Sequence, residues 1–331
     1  MGFIKEQLYK IKKFFLNNCT IFTVKYNPRK CVLPNRLYVP QYYKKRMGRT
    51  MDLKNPKEIS EKLNWYKVYY HDPLLTLCAD KYRMREYVKM VLGEGYTVPL
   101  LGKWESPNEI DFEALPDRFV LKTNHDGGPI VCQDKSQIDK NYVINKLKQK
   151  LKSNYYRRGR TWSYKNIKRC VFAEEFLDLG DEELVDYRFF CFNGIVKYIC
   201  TTSEKTDAKH GHTDYFDAEF NKLPFCGGSG CAAVTPLQPA NFEEMKKIAE
   251  QLASYGDGGI PFVRVDMYAF DDKIYIGELT FYPTNGMVNY NPKEWNKIIG
   301  DYFVLPKKNG WKKQSGRDDK WIKTIINQNE I

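Results

Sequence analysis

The stretch VRVDMYAFDDKIYIGELTFYP, residues 263–283, decides the fold class, because it contains two β-strands that fold back on each other at its adjacent aspartates. With the turn at the second of these aspartates, Asp266 lies opposite Glu278 and Arg264 lies opposite Thr280. Side chains alternate between the two faces of a strand, so all four share one face of the hairpin. Two carboxylates directly opposite each other destabilise a hairpin. A divalent cation between them removes that penalty, and Mg²⁺ commonly binds one or two carboxylates together with substrate phosphates, so the hairpin predicts a Mg²⁺ site.

The same face allows a second interpretation. Arg264 and nearby lysines can simply neutralise a solvated acidic surface, and a one-residue error in the turn breaks the alignment of Asp266 with Glu278. In the first interpretation, Arg264 supplies a fixed positive fork for a phosphate or a developing oxyanion. The hairpin alone leaves both interpretations open.

The rest of the chain predicts a mixed α+β fold with antiparallel sheets. Helical patterns cover residues 55–72, 80–95, 139–154 and 242–256. β-rich runs predict a hairpin around the Gly-containing loop 124–129, a strand within 170–179, and a hairpin that turns at Asn193–Gly194. Strands and helices do not alternate regularly, so parallel βαβ units are not expected.

The composition describes a globular protein, since 42% of the 331 residues are apolar and 15% are aromatic. No apolar run reaches the roughly 18 residues that a membrane span needs. Several of the nine cysteines lie in strand-like runs and should behave as small hydrophobes: Cys132, Cys170, Cys191 and Cys200. The odd number of cysteines and the absence of a secretory leader favour a reducing cytoplasm. Zinc is not expected at Cys226 and Cys231, because no further Cys or His cluster completes a site.

The formal charge of +12 predicts anionic partners. Phosphates, anionic lipid and acidic glycans account for it equally well, whereas nucleic acid is not expected because the chain has no recognised nucleic-acid-binding motif. Residues 1–18 place apolar side chains at helical spacing among lysines, which is typical of a basic amphipathic helix on a membrane surface. A helix packed on the protein's own core explains the same pattern, so membrane contact stays open.

A lysine and a glycine loop are further candidates for phosphate binding. Lys122 interrupts the apolar run RFVLKT immediately before NHDGGP, residues 124–129. A strand lysine at the mouth of such a turn can offer its charge to a phosphate that the backbone N–H groups approach. The residue order is not that of a Walker A loop. His125 fits a hydrogen-bonding role in this loop better than a catalytic one.

An acidic strand end and the Asn193–Gly194 hairpin add polar candidates. The run VFAEEF places Glu174 and Glu175 beside apolar Phe176, which suits an adenine ring and its exocyclic amine. On the hairpin, Asp186 can accept hydrogen bonds from ribose hydroxyls, and Arg188 on the same face can reach a phosphate or an anionic substrate. Each residue alone is an ordinary surface charge, and their combination is what indicates a nucleotide site.

In this order the elements resemble an ATP-grasp enzyme, and more closely the teichuronopeptide-biosynthesis (TupA-like) branch of that superfamily. The motifs that carry the resemblance are EKLNWYKVYYHDPLLTLCADKY, ADKYRMREYV, VPLLGKWESPNEIDFEALPDRFVLK, FVLKTNHDGG, VFAEEF, DYRFFCFNG, PFVRVDMY and IYIGELTFYP. They cover roughly residues 55–305. The resemblance implies an ATP-grasp fold with the nucleotide between two sheet-containing subdomains. It divides the chain into a basic lead-in (1–54), a helical N-terminal part (55–115), a nucleotide- and metal-binding core (116–305) and a basic tail (306–331).

The resemblance also implies a role for each matching residue. The implied ATP-binding residues are Lys81 and Lys122 at the phosphates, Glu174, Glu175 and Phe176 at the adenine, and Asp186 at the ribose. Asp266 and Glu278 are implied to hold Mg²⁺. Arg264 is implied to steady the transferred phosphoryl group, with Arg188 and Lys122 completing the catalytic set.

Two positions depart from the family pattern. Thr280 stands where many ATP-grasp enzymes have an asparagine as third metal ligand, so either Thr280 binds the metal through water or the site holds fewer ions. The loop HDGGP has fewer glycines than a typical phosphate-covering loop, which predicts a stiffer loop.

The activity that the resemblance implies is that of an ATP-dependent ligase, which phosphorylates a carboxylate and then lets an amine displace phosphate to give an amide. For this branch we expect the carboxylate of an acidic surface polysaccharide or its precursor, an amino acid or amine as donor, and a cytoplasmic location with peripheral contact on the inner membrane face left open. His210 and His212 fall where mobile acceptor-side residues are expected, and no role is assigned to them.

Three other functions stay open on the sequence. A kinase of the same fold would phosphorylate a sugar hydroxyl with the same nucleotide and metal residues. A metal-dependent glycosyltransferase would use Asp266 and Glu278 for the metal of a nucleotide sugar. A scaffold that binds anionic glycan or membrane would need no nucleotide site.

Overall fold

The structure is a computed structural model that describes residues 33–178, 185–203, 211–226, 230–270 and 273–327. The helices are α1 (Asn35–Met47), α2 (Ile59–Tyr69), α3 (Pro73–Ala79), α4 (Met84–Leu92), α5 (Lys140–Lys152), α6 (Tyr155–Gly159), α7 (Phe242–Ala253), α8 (Glu294–Tyr302) and α9 (Asp319–Asn327). The strands are β1 (Leu100–Trp104), β2 (Phe119–Thr123), β3 (Ile130–Cys132), β4 (Val171–Glu175), β5 (Asp186–Phe192), β6 (Ile195–Ser203), β7 (His212–Asp217), β8 (Lys222–Cys226), β9 (Phe262–Phe270) and β10 (Lys273–Thr280). The mixed α+β prediction is confirmed, since the paired strands are antiparallel. The N-terminal amphipathic segment and His210 lie outside the described residues.

The smaller sheet has four strands in the order β1-β4-β2-β3. One of its faces packs through Leu121 and Ala173 against Val143 and Leu147 of α5. Alternation places Lys122 and Glu174 on the opposite face. Strand β1 lies within the range that the sequence assigned to helices, and it was not predicted because its side chains show no alternation of buried and exposed positions.

The larger sheet has six strands in the order β10-β9-β5-β6-β7-β8. Val265 and Phe189 on one face join Met245 and Leu252 of α7 in the main hydrophobic core. The opposite face carries the polar side chains of β5, β9 and β10. The sheet therefore supports these polar groups with a rigid apolar layer behind them.

The hairpin of β9 and β10 pairs Asp266 with Glu278, as the sequence predicts, but for a different reason. Ile276 pairs with Met267 and Glu278 pairs with Asp266, so β10 contains one additional residue, Gly277, between the two pairs. This is a β-bulge, which shifts the register by one residue. A Cβ atom on Gly277 would lie 2.9 Å from the ring of Tyr268, so glycine also allows this close approach.

The helices before β1 differ from the prediction at two positions. The sequence predicted one helix within residues 55–72, but α2 ends at Tyr69, and Pro73 is the first residue of α3, where its missing N–H costs nothing. The sequence predicted the next helix over residues 80–95, but α4 begins at Met84. Asp80 instead caps the turn before α4 by accepting the backbone N–H of Tyr82 at 3.0 Å.

The cysteines confirm one expectation and contradict another. The four cysteines predicted to act as small hydrophobes are buried free thiols, and so is Cys78. Cys226 and Cys231, however, form a disulfide, so the expectation of reduced cysteines is wrong for this pair. The carboxylate of Asp214 lies close to both sulfur atoms. The sequence did not show this cluster because β7 brings Asp214 to β8 only in the folded sheet.

Candidate active site

The candidate active site lies where the polar faces of the two sheets meet the turn between α3 and α4. Lys81 in that turn reaches Glu278 of the larger sheet, with 2.9 Å between Nζ and Oε1. Its backbone N–H donates to the carbonyl of Asn124, which follows β2 of the smaller sheet, at 2.9 Å. The turn therefore joins the two sheets at the position of the facing carboxylates.

Cations already neutralise the facing carboxylates. Arg264 donates from Nε to Oδ1 of Asp266 at 2.6 Å and from Nη2 to Oδ2 at 2.5 Å. The Nε atom of Arg188 lies 3.8 Å from the same carboxylate, and Lys81 pairs with Glu278. The structure thus contains the neutralisation that the second interpretation of the hairpin describes, with three cations around two carboxylates.

Burial and the neighbouring cations shift the pKa values of Asp266 and Glu278 in opposite directions. Burial alone would raise the pKa of Glu278, but Lys81 and Arg264 outweigh it and hold that pKa below its ordinary value. For Asp266, burial outweighs the attraction of Arg264 and raises the pKa. Of the two, Glu278 is therefore the more strongly ionised group.

The donor atoms on this face fit Mg²⁺. Asp266 and Glu278 offer carboxylate oxygens from adjacent strands, and Thr280 offers a hydroxyl on the same face of β10. Mg²⁺ prefers such hard oxygen ligands. The hydroxyl of Thr280 accepts a hydrogen bond from Nη2 of Arg264 at 3.2 Å, so Thr280 is engaged with Arg264 in this state.

Lys122 and Glu174 form a second ion pair on the polar face of the smaller sheet. Nζ of Lys122 lies 2.5 Å from Oε2 of Glu174, and Nη1 of Arg85 lies 3.0 Å from Oε1. Burial would lower the pKa of Lys122, but Tyr268 and Glu174 outweigh it and the pKa is raised. Lys122 is therefore protonated at neutral pH and paired with Glu174.

The other two residues predicted at the adenine, Glu175 and Phe176, are not part of the ion pair of Lys122 with Glu174. Glu175 follows Glu174 on the strand, so its side chain points to the opposite face, where it is exposed. Phe176 is half-buried, and the guanidinium of Arg118 lies over its ring at 5.1 Å. Of the three residues predicted at the adenine, the structure brings Glu174 into contact with Lys122.

Asp186 and Arg188 share a face of the sheet, as predicted, and the structure shows that Asp266 lies on the same face. Arg188 and Asp266 are direct partners on β5 and β9. Arg188 donates to Oδ2 of Asp186 at 3.1 Å and to the hydroxyl of Thr202 at 2.7 Å. The guanidinium therefore bridges from the predicted ribose residue to the carboxylate pair.

The glycine loop is held by hydrogen bonds at two of its polar residues, Asn124 and Asp126. The side chain of buried Asn124 donates to Asp80 at 2.9 Å and accepts from the N–H of Cys170 at 3.0 Å. Asp126 accepts hydrogen bonds from Tyr155 and from Lys150, the latter at 3.3 Å. These contacts tie the loop to its neighbours, and its stiffness stays a prediction.

Sequence reasoning missed several polar residues of the site, among them Asn124, Tyr164 and Tyr268. Asn124 fixes the position of Lys81, but an asparagine in a loop indicates only a turn. Burial, and after it the negative charge of Glu278, raises the pKa of Tyr164 to about 12. Tyr268 alternates with Asp266 on β9, which is the one signal that could have found it.

The two described histidines that the sequence singled out lie in different places. His125 is buried beside Tyr155, with 6.4 Å between the ring centroids, and burial lowers its pKa to about 4. It is therefore neutral at physiological pH. His212 is the first residue of β7 and pairs with Ser203 of β6.

No helix in the described ranges is long and apolar enough to cross a membrane. Among proteins with curated annotation, none matches this sequence.

Similar solved structures include several ligases. An L-amino acid ligase from Bacillus licheniformis is 12% identical over 61% of this chain and 42% of its own length, with a TM-score of 0.40. A D-alanine–D-alanine ligase from Bacillus anthracis is 16% identical over 82% of this chain and 75% of its own, with a TM-score of 0.40. The ATP-grasp ligase PsnB, complexed with minimal precursor, is 13% identical over 73% and 66%, with a TM-score of 0.38. These TM-scores lie below 0.5, so the family of this chain is assigned from the sequence match and not from these structures.

The sequence match is extensive. The family model described as TupA-like ATPgrasp matches residues 61–304, which is well over half of the chain. The matched range contains the facing carboxylates, the glycine loop and both candidate lysines. The chain therefore belongs to the TupA-like ATP-grasp family.

Proposed function

We propose that this protein is an ATP-dependent ligase that converts a carboxylate to an acyl phosphate and then joins it to an amine as an amide. The observation that best supports the proposal is the facing pair of Asp266 and Glu278, which lies on one sheet face with Arg264 and Lys81 bound to it. In a chain of the ATP-grasp family, such a set of hard oxygen donors and cations suits Mg²⁺ and a triphosphate.

The ion pairs of the site suggest how charge stays balanced when Mg²⁺-ATP binds. Mg²⁺ would be held by Asp266 and Glu278, with Thr280 direct or through water, and would neutralise phosphate charge. Lys81 and Arg264, which now neutralise these carboxylates, would then become available for phosphate oxygens. The exchange replaces each carboxylate–cation contact by a phosphate–cation contact, so no buried charge loses its partner.

The remaining residues bind different parts of ATP and of the acceptor. Lys122 contacts the phosphates beside Lys81, Glu174 accepts from the adenine amine, and Asp186 accepts from the ribose. Glu175 and Phe176 contribute through the backbone of the strand end and an apolar ring. Arg188 binds an anionic oxygen of the acceptor or of the phosphoryl group in transfer.

The two chemical steps balance without a covalent enzyme intermediate. An oxygen of the substrate carboxylate attacks the γ-phosphorus, and the bond from that phosphorus to the bridging oxygen of ADP breaks. The amine nitrogen then attacks the carbonyl carbon, the carbon–oxygen bond to phosphate breaks, and the nitrogen loses a proton. Arg264 stabilises the negative charge on the phosphoryl group during transfer.

For the substrate, we infer a uronic-acid carboxylate of an acidic surface polysaccharide or its precursor, and an amino acid or another amine as donor. The formal charge of +12 favours such an anionic acceptor. A cytoplasmic enzyme in peripheral contact with the inner membrane face would meet a lipid-linked precursor there. The TupA-like branch favours this class of substrate over a free dipeptide.

The test measures phosphate release from ATP in the presence of uronate-containing acceptors and a panel of amines. Phosphate release that requires the amine, together with an amide product in the mass spectrum, supports the ligase. A stable phosphorylated sugar contradicts it and indicates the kinase. Thermal protection by nucleotide sugars, but not by Mg²⁺-ATP, also contradicts it and indicates a glycosyltransferase.

A further inference from the structure

Strands β7 and β8 bring together three side chains that can bind a metal and that the proposed function does not use. Asp214 on β7 pairs directly with Cys226 on β8, so the two side chains lie on the same face of the sheet. Cys231 is held nearby, because the carbonyl of Gly230 accepts the backbone N–H of Thr213 at 3.1 Å. A carboxylate oxygen of Asp214 and the two sulfur atoms all lie within 4.8 Å of one another. We call these three residues the Asp–Cys–Cys cluster.

Asp214 is the fully buried member of the cluster, with 0% of its side chain exposed. Its Oδ1 atom lies 2.8 Å from Nζ of Lys222, and its Oδ2 atom accepts the backbone N–H of Ala232 at 3.1 Å. A carboxylate has about four acceptor positions, and these two contacts leave one on each oxygen. The contact with Ala232 also fixes the carboxylate beside the residue that follows Cys231. Asp214 therefore keeps an acceptor position for a metal ion while both contacts persist.

The two sulfur atoms are joined in the structure, and they become metal ligands after reduction. Cys226 and Cys231 form a disulfide and are both partly exposed, whereas the other cysteines in the described ranges are buried free thiols. A dithiol reductant delivers two electrons and two protons to the disulfide and is itself oxidised to a disulfide. The product is a pair of accessible thiols beside a buried carboxylate.

We propose that the reduced Asp–Cys–Cys cluster is a Zn²⁺ site, with the thiolates of Cys226 and Cys231 and the carboxylate of Asp214 as ligands and a water in the fourth position. Thiolate and carboxylate are both ordinary zinc ligands. Tetrahedral Zn²⁺ with Zn–S bonds of about 2.3 Å holds two sulfur atoms about 3.7 Å apart, a spacing that becomes accessible once the bond between them is broken. Zn²⁺ binding displaces the two thiol protons into solvent.

The charges of the cluster balance both with the disulfide and with the metal. In the disulfide state, the negative charge of Asp214 is paired with Lys222. In the metal state, Zn²⁺ offsets the two thiolates, so the pair of Asp214 with Lys222 remains balanced. Neither state leaves a buried charge without a counterion, which would be costly. The sequence gave no reason to expect zinc because the third ligand is neither Cys nor His, and strand pairing supplies it.

The cluster is linked to the candidate active site through two threonines. The hydroxyl of Thr213, whose backbone binds Gly230, lies 3.4 Å from the hydroxyl of Thr202. Thr202 in turn accepts a hydrogen bond from Nη1 of Arg188 at 2.7 Å, and Arg188 is the direct strand partner of Asp266. The disulfide and the Zn²⁺ ion therefore both fasten the end of β8 to β7, beside the strand that supports Arg188.

The test is titration of the full chain with Co²⁺ and then with Zn²⁺, after reduction with a phosphine, removal of the phosphine and exclusion of oxygen. Nucleotide and Mg²⁺ are left out. Reduced wild type should bind one Co²⁺ with sulfur-to-metal charge-transfer absorption, which oxygen ligands alone do not give. Zn²⁺ should then displace Co²⁺ and abolish this absorption, because thiolate sites select Zn²⁺. The oxidised protein should show no such absorption.

Variants assign the ligands. Cys231→Ser, Cys226→Ser and Asp214→Asn should each weaken Co²⁺ binding by about tenfold or more, because each removes one ligand. Cys132→Ala removes a buried thiol of the smaller sheet and is the matched control. Asp266→Asn removes an oxygen ligand of the proposed Mg²⁺ site. Both of these variants should keep the charge-transfer absorption of wild type.

Three results would overturn the proposal: reduced wild type without charge-transfer absorption, equal absorption in the oxidised protein, or wild-type affinity in Cys231→Ser. Wild-type affinity in Asp214→Asn would remove the carboxylate from the site and also overturn it. Cys231 is partly exposed, so Cys231→Ser is expected to fold even if Asp214→Asn does not. The experiment contains no ATP, so its outcome is independent of the proposed ligase activity.

Discussion

At the residue scale, Asp266→Asn should remove activity and leave the fold nearly intact. Asparagine keeps the volume and one acceptor for Arg264, but it loses the charge that a Mg²⁺ ligand needs. We expect ATP-dependent amide formation to fall by about a hundredfold or more, with a loss of roughly 1–3 kcal/mol in unfolding free energy from the weakened ion pair. Glu278→Gln should behave in the same way.

The measurement combines turnover with urea unfolding of each variant. Asp301→Asn, in an exposed pair with Lys297, is the matched control and should change neither quantity. Full activity in Asp266→Asn would contradict the metal assignment and leave charge neutralisation as the role of this face.

His125 should contribute to acid unfolding. Burial lowers its pKa in the folded protein to about 4, below the ordinary value near 6.5. Between these values the unfolded chain binds the proton more tightly, so the stability due to His125 is present above about pH 6.5 and is lost as the pH falls through 4. His125→Phe keeps a ring beside Tyr155 and removes the titration. Wild type should lose about 1 kcal/mol per pH unit more than the variant between pH 6.5 and 4.5, measured by urea unfolding, and parallel curves would contradict this.

Some site residues could be predicted from the sequence because their position depends on local alternation. Asp186 and Arg188 share a face since they are two residues apart on a strand. The pairing of Asp266 with Glu278 was predicted too, but the bulge at Gly277 that produces it has no sequence signal beyond the glycine itself. Asn124 was missed because its function depends on contacts with segments distant in sequence.

At the element scale, the stiffness of the glycine loop should depend on α5. Lys150 donates to the carbonyl of Gly127 at 2.6 Å and pairs with Asp126. Lys150→Met removes both contacts and should speed amide hydrogen exchange in residues 125–128 by about fivefold, which corresponds to roughly 1 kcal/mol. Lys148→Met on the same helix is the control. Equal exchange in both variants would show that Tyr155 alone holds the loop.

The elements themselves were predictable where their partners are adjacent in the chain. The turn at Asn193 and Gly194 has positive φ angles of 51° and 85°, and it forms the predicted hairpin. Strand β1 pairs instead with β4, about 70 residues later in the chain, so local pattern gave no reason to expect it. The break between α2 and α3 was missed because a proline that ends one helix also suits the first turn of the next.

At the scale of the whole molecule, the C-terminal region is part of the fold and not only a basic tail. Ile322 of α9 is 1% exposed and belongs to the main hydrophobic core. Arg317 binds Asp72 with both of its terminal nitrogens, at 2.5 and 2.7 Å, and both side chains are almost fully buried. The sequence predicted the charge of this region correctly, but a salt bridge across 245 residues leaves no local pattern.

This buried pair gives a prediction for global stability. Arg317→Met leaves Asp72 buried without its counterion, and the free energy of unfolding should fall by about 3–5 kcal/mol. Asp72→Asn/Arg317→Met removes both charges while the amide oxygen can still cap α3, so it should recover part of that loss. Lys323→Met, on the exposed side of α9, should be nearly neutral in the same urea unfolding experiment. If Arg317→Met is as stable as Lys323→Met, the ion pair of Arg317 with Asp72 contributes nothing to the stability of the fold. The expected loss would instead mean that the C-terminal region stabilises α3, the helix that leads into the turn with Lys81.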